Sequence, residues 1–246
     1  MYKRTEGNRR KYHRDEAETR EKVHGNPATV TEDEDGLLKV LETGPSPTED
    51  VVDENKSFCQ HLMGYRRGWF WDNLITPDGI EWIPEAMQRG TLTCVTDGSY
   101  VKHMAPNVSG AGWIIQDRAT GKKVKGSLAE WSHSAGSYRG EMLGMLAVRV
   151  FLLAIEEYYQ QASGAAKGNK VSCDNKGVLF TFDKKCKRVP AASSNADVRR
   201  ALRELNRRSA NQYRLEHVRG HQDKNKRYKD LSLEAQLNVE CDIMAK

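Results

Sequence analysis

The 246-residue chain has little of what would secrete it, cross-link it or hold it in a membrane. Its five cysteines (Cys59, Cys94, Cys173, Cys186 and Cys241) are odd in number, far apart and without a C-x-x-C pair. That spacing argues against a zinc ribbon and against a disulfide framework. The start, MYKRTEGNRRKYHRDEAETREK, is too charged for a signal peptide, and no apolar h-region follows it. The longest apolar stretch, Met142 to Ile155, spans 14 residues around Arg149, against roughly 20 needed to cross a bilayer. The expectation is a protein that is not secreted, sits in a reducing cytoplasmic or nuclear setting and has no membrane partner.

Charge is present in quantity but unevenly. The net charge is +5, made of −5 over residues 1–90 and +10 over residues 91–246. An acidic leader joined to a basic body suggests that the body meets a polyanion. Residues 1–60 show no sustained period of 2 or 3.6 and carry the acidic run Glu32-Asp33-Glu34-Asp35, so they are expected to be a disordered charged leader. Residues 61–90 crowd Tyr65, Trp69, Phe70, Trp71 and Trp82 together. Aromatics at that density pack against something, either as a strap over the next domain or as a docking segment for another one.

From Thr91 the pattern becomes regular. TLTCVTDGS reads as a strand with a turn at Asp-Gly, Gly110–Gln116 as a second strand and Lys123–Glu130 as a third, completing an antiparallel meander. Residues 139–160 have helix spacing, with Leu143, Ala147, Val150 and Ala154 on one face. A short strand (Lys170–Asp174), a helical turn, a helix over 197–208, a strand over Tyr213–Val218 and a helix over 234–246 follow. The expected domain, residues 91–246, is α/β: a mixed five-stranded sheet with helices on both faces.

Four acids stand at element ends: Asp97, Glu141, Asp174 and Asp242. Each alone has an ordinary explanation as a turn residue, a helix N-terminal charge, a strand-end cap or part of a solvated helix face. If the first and fourth strands are central, Asp97 and Asp174 emerge side by side, and Glu141 and Asp242 reach them from helices across the sheet. Gathered carboxylates repel and need cations, and hard oxygen ligands favour Mg²⁺ or Mn²⁺. Two such ions about 3.5–4 Å apart clamp the attacking and leaving oxygens of a phosphodiester. A basic body around that cluster fits a nuclease.

In order, the segments Thr96-Asp97-Gly98-Ser99, Gly140-Glu141-Met142-Leu143, Cys173-Asp174-Asn175, Gly220-His221-Gln222-Asp223 and Asn238-Val239-Glu240-Cys241-Asp242 resemble the ribonuclease H type 1 family. The resemblance covers about residues 91–246 and implies an RNase H-like fold. It also implies endonucleolytic hydrolysis of the RNA strand of RNA–DNA hybrids, leaving 5′-phosphate and 3′-hydroxyl ends. Carried over, Asp97 bridges two Mg²⁺ ions, Asp242 completes the site of the ion that activates water, and Glu141 and Asp174 hold the ion beside the leaving group. His221 matches a mobile-loop histidine that handles water or product departure.

The departures concern substrate contact. Ser137-Tyr138-Arg139-Gly140 puts a bulky and a charged residue where the family often has small polar ones, and Arg139 is expected to touch nucleic acid. Ser99 and Asn238, inside the first and last motifs, are further candidates. No full basic handle helix is evident; Lys184-Lys185-Cys186-Lys187-Arg188 is the nearest substitute. Arg199, Arg203 and Arg207 form a stripe that is either a solvated face or a phosphate-contacting groove. The long segment Asp223–Leu237, the aromatic strap and an end four residues past Asp242 resemble a retroelement ribonuclease H that follows a reverse transcriptase in one polyprotein. The competing reading is a catalytically inactive RNase H-fold binding module. An RNase H-fold transposase or resolvase fits less well, because there the Glu comes last.

Overall fold

The computed structural model describes residues 26–32, 38–42, 56–65, 68–159, 168–183, 189–190, 193–209 and 211–246. Lys184 and Lys185 lie outside them. The strands are β1 (Asn26–Glu32), β2 (Leu38–Glu42), β3 (Leu92–Ser99), β4 (Val108–Asp117), β5 (Lys123–Trp131), β6 (Lys170–Cys173) and β7 (Arg214–His217). The helices are α1 (Lys56–Met63), α2 (Trp82–Arg89), α3 (Ser137–Tyr158), α4 (Lys176–Phe182), α5 (Ala196–Arg208) and α6 (Leu233–Ala245). None of these helices is long and apolar enough to cross a membrane.

The sheet order is β2-β1-β5-β4-β3-β6-β7. β3, β4 and β5 are an antiparallel meander, and β6 and β7 continue from β3 in parallel. This α/β core is the mixed five-stranded sheet that the sequence resemblance implies. β3 and β6 are neighbours, with Thr96 opposite Cys173, so Asp97 and Asp174 come next on their chains where the β3–β6 pairing ends.

Three expectations change. β3 runs straight through Asp97-Gly98 to Ser99 and makes no turn there, because Gly98 pairs with Ala111 and its open α-face is filled by α3. Within residues 1–60, β1 and β2 pair with each other and β1 continues onto β5, so that stretch is not uniformly without structure. The β-branched Thr29, Val30 and Thr31 supply strand propensity that a search for a long period passes over. Third, α3 starts two residues earlier than its spacing suggests, and buries every residue from Arg139 to Glu156 rather than one stripe.

A helix apolar all round must be covered on all sides. The sheet covers one side of α3; Phe58, Leu62, Trp69, Phe70, Trp71, Trp82, Ile83 and Met87 belong to the same core cluster and cover another. Trp71 stacks edge-on against Trp113 at 6.2 Å and leans on Phe151 at 6.1 Å. Asn169 fastens this segment to the domain: its side chain donates to Met87 O at 2.8 Å and accepts from Leu92 N–H at 3.1 Å. Arg149, the one charge within the apolar run, lies over the rings of Phe182 and Tyr213 at 5.2 and 4.8 Å. On the opposite face α6 closes a smaller cluster of Val95, Ile114, Leu237 and Cys241.

Candidate active site

Four elements carry the four acids to one end of the interior strands β3 and β6: β3 brings Asp97, α3 brings Glu141, the end of β6 brings Asp174 and α6 brings Asp242. Missing side chains permit the approach. A Cβ on Gly98 would stand 2.1 Å from Glu141 N and 2.6 Å from Gly140 C, so the start of α3 lies directly on β3. A Cβ on Gly112 would stand 2.3 Å from Cys241 O, so α6 lies as closely on β4. Glu141 and Asp242 are thereby held by helix backbones pressed onto β3, which carries Asp97, and onto its neighbour β4.

The carboxylates feel one another. Burial and then the charge of Asp174 push the Asp97 carboxyl up to about 7; Asp242 adds to the rise, while hydrogen bonds from Gly98 N–H and with Glu141 oppose it. Glu141 is pushed up to about 10, by burial first and then by Asp174 and Asp97. Asp97 and Glu141 are each 5% exposed, and Asp174 and Asp242 are half-buried. Such a set is at ease as carboxylates only beside positive charge. Lys246 supplies one: its Nζ lies 2.6 Å from Asp242 Oδ2, on the exposed side.

One member of the cluster is not a carboxylate. Cys173 Sγ donates to Glu141 Oε2 at 3.1 Å. Glu141, Cys173 and Asp174 present ligand atoms that all lie within 4.8 Å of one another. The four carboxylates expected from the sequence as metal ligands include no thiol. Parallel pairing is what brings the thiol in, since Cys173 is the last β6 residue and faces α3 while Asp174 follows at the strand end.

A second addition is His217, paired with Cys173 across β6 and β7, whose Nε2 lies 2.9 Å from Asp174 O. It pins the backbone that carries Asp174. Sequence shows it only as the end of a short strand. His221 sits on an exposed loop in left-handed backbone, φ 51°, a region histidine enters more readily than most residues. The preceding Gly220 packs so near Asp174 that a Cβ there would stand 2.4 Å from Oδ2. The loop bearing His221 is therefore seated on the carboxylate cluster.

The nucleic-acid candidates divide. Arg139 is not available to a substrate: it is 1% exposed, and its guanidinium is held by Glu130 of β5 (2.9 Å, Nη2 to Oε1) and Asp197 of α5 (2.9 Å, Nη2 to Oδ2). That charge neutralises the buried Glu130 and the half-buried Asp197, which the pattern Tyr138-Arg139 does not reveal. Asn238 is buried, one turn before Asp242 on α6, with its Nδ2 unpaired among the described residues. Ser99 is half-buried at the open end of β3. Arg199 and Arg203 are half-buried on α5, and Arg207 is exposed and paired with Glu204. Tyr138 rests on α4, its hydroxyl 3.4 Å from Thr181 Oγ1.

No family model matches the chain, and no curated protein does. Among solved structures it is similar to RNase H1 from the halophilic archaeon Halobacterium salinarum NRC-1, at 15% identity over 63% of this chain and 93% of that one, TM-score 0.39. It is similar to the N-terminal RNase H domain of a Mycobacterium tuberculosis protein, at 15% identity over 63% and 89%, TM-score 0.38. It is also similar to the prototype foamy virus protease-reverse transcriptase, at 17% identity over 63% of this chain but 20% of that one, TM-score 0.40. Likeness at this level assigns neither family nor activity.

Proposed function

We propose that the protein is a Mg²⁺-dependent endonuclease that hydrolyses the RNA strand of RNA–DNA hybrids, leaving 5′-phosphate and 3′-hydroxyl ends. The observation that carries the reading is the convergence of Asp97, Glu141, Asp174 and Asp242, from four elements, into a cluster in which burial and the neighbouring acids push Asp97 and Glu141 up. The donor set fits hard cations: Asp97, Glu141, Asp174 and Asp242 would hold two Mg²⁺, with Mn²⁺ as a substitute. When bound, the ions acidify water and neutralise the oxygens of the phosphate under attack. The protein's own part is to fix the carboxylates on strand ends and on tightly seated helices, so that little reorganisation is left for the reaction. His221, on the loop seated against Asp174, moves the proton of the attacking water or the departing 3′ oxygen. The basic body, +10 over residues 91–246, concentrates the polyanion. Ser99 at the open strand end and Arg199, Arg203, Lys184 and Lys185 are proposed backbone contacts.

Cleavage of a labelled hybrid in Mg²⁺ by wild type and Asp97→Asn tests this. The substitution should cost several kcal/mol of transition-state stabilisation, about three or more powers of ten in rate. Equal activity in the two proteins, or wild-type cutting of duplex RNA and duplex DNA as fast as the hybrid, sinks the proposal. The one feature that favours a binding-only module is the Lys246–Asp242 pair, which competes with a cation. Its lysine is 56% exposed, and exposed pairs are worth about 0–1 kcal/mol, so a divalent ion displaces it. The long segment 223–237 and the aromatic segment further support a retroelement setting, with a reverse transcriptase in the same polyprotein. Polymerase-coding sequence immediately upstream in the genome is the expected finding, and a gene without such a neighbour counts against it.

A further inference from the structure

We propose that Glu141, Cys173 and Asp174 form a binding site for a thiophilic divalent cation, Zn²⁺ or Cd²⁺, superimposed on the carboxylate cluster. Their ligand atoms lie within 4.8 Å of one another, and Sγ is already 3.1 Å from Glu141 Oε2. A tetrahedral zinc ion with a Zn–S distance of about 2.3 Å and Zn–O distances of about 2.0–2.2 Å spaces its ligands about 3.4–3.6 Å apart. Drawing the three ligand atoms together by about 1 Å completes three of four positions, and water or Asp97 takes the last.

The thiol decides which ion the site prefers. Carboxylates alone favour Mg²⁺, whereas a thiolate selects zinc and its heavier relative over hard cations. Coordination exchanges the S–H bond for an S–metal bond, and the proton leaves to solvent, so each ion bound releases one proton from Cys173. Asp174, the most open of the three, is the way in.

A second observation points to the same place. Thr96 is fully buried, and its Oγ1 has no hydrogen-bond partner among the described residues. It is the β3 residue opposite Cys173. Its side chain lies on the α3 face, with Cβ 3.3 Å from where a Cβ on Gly144 would stand. Buried hydroxyls are ordinarily paired. Beside a metal-bound thiolate this one gains an acceptor, the kind of outer hydrogen bond that orients metal ligands.

The site stands on geometry alone, while its consequence rests on the nuclease reading: a bound zinc ion would occupy two of the four carboxylates and stop Mg²⁺-dependent cleavage. The test is Cd²⁺ titration of the full chain, kept reduced with a phosphine and followed by thiolate-to-cadmium charge-transfer absorption. Wild type should give a band that saturates at one ion, yields to Zn²⁺ and survives excess Mg²⁺. Cys59→Ser, at an exposed cysteine, should keep the band, and Cys173→Ser should lose it. Thr96→Val should weaken Cd²⁺ binding by about 10- to 100-fold. No band in wild type, or an unchanged band in Cys173→Ser, overturns the proposal. If Cys173→Ser does not fold, Asp174→Asn keeps every thiol and should weaken the ion at least about tenfold; unchanged affinity there also overturns it. Hybrid cleavage measured on the same preparations separates the two claims. Cleavage without a band defeats the thiophilic site alone, and a band without cleavage defeats the nuclease reading alone.

Discussion

Gly98→Ala tests how the site is assembled without touching a carboxylate. The new Cβ would stand 2.1 Å from Glu141 N, 2.6 Å from Gly140 C and 2.9 Å from Glu141 Cα. Non-bonded atoms settle at about 3.5–4.0 Å, so backbone, not a flexible side-chain tip, must retreat by more than about 1 Å. Overpacking of this kind costs about 1–3 kcal/mol, and about 2–4 °C of Tm per kcal/mol at this chain length. The segment that retreats carries Glu141. A displacement of about 1 Å in a reacting constellation costs about 100-fold in rate, so activity should fall by two powers of ten while most of the protein remains folded.

Gly144→Ala is the matched control, one turn further along the same helix. Its Cβ would meet Thr96 Cβ at 3.3 Å and Gly112 O at 3.4 Å, a shortfall of a few tenths of an ångström. Alanine in a helix interior gains about 1 kcal/mol over glycine, which offsets that crowding. Urea unfolding reports stability for both variants, provided the slope m is unchanged, and hybrid cleavage reports the site. Wild-type stability and activity in Gly98→Ala would refute the claim that bare backbone contact between β3 and α3 places Glu141. Equal damage from Gly144→Ala would mean that any methyl group along this helix is harmful.

Two further outcomes follow from the same geometry. Asp97 is raised from 3.8 to about 7 and Glu141 from 4.5 to about 10, so between those values the folded state binds more protons than the unfolded one. Stability in EDTA should therefore fall as pH rises from about 4 through 7, with the Glu141 contribution continuing toward 10, and Mg²⁺ should reverse the loss; thermal melts across pH in which stability instead rises would contradict the assignment. Arg139→Met leaves Glu130 and Asp197 without the guanidinium that neutralises them, a change that costs about 3–5 kcal/mol for a buried pair. It should lower Tm and leave the salt dependence of nucleic-acid binding unchanged, whereas a flatter salt slope would return Arg139 to the substrate.

Legibility in the sequence follows the range of the interaction concerned. The strands and helices of residues 91–246 are readable because hydrophobic period is local, and the four acids are readable because each interrupts or borders a periodic segment. Arg139 is misread for the same reason: adjacency to Tyr138 says nothing about Glu130 on β5 or Asp197 on α5, which are supplied by sheet order and by the packing of α5. Burial on both sides of α3 is hidden likewise, since only Trp69, Trp71 and Trp82 from a separate segment make a second apolar face necessary. Cys173 is the sharpest case. Its neighbour Asp174 was legible as a ligand, but a side chain one residue earlier on a strand points to the opposite face. It therefore reads as core until the register places Thr96 opposite it and α3 brings Glu141 within 3.1 Å. In this chain the residues that balance and tune the site are the ones that only long-range pairing assembles, so substitutions at Arg139, Cys173 and Gly98 test the fold and the chemistry together.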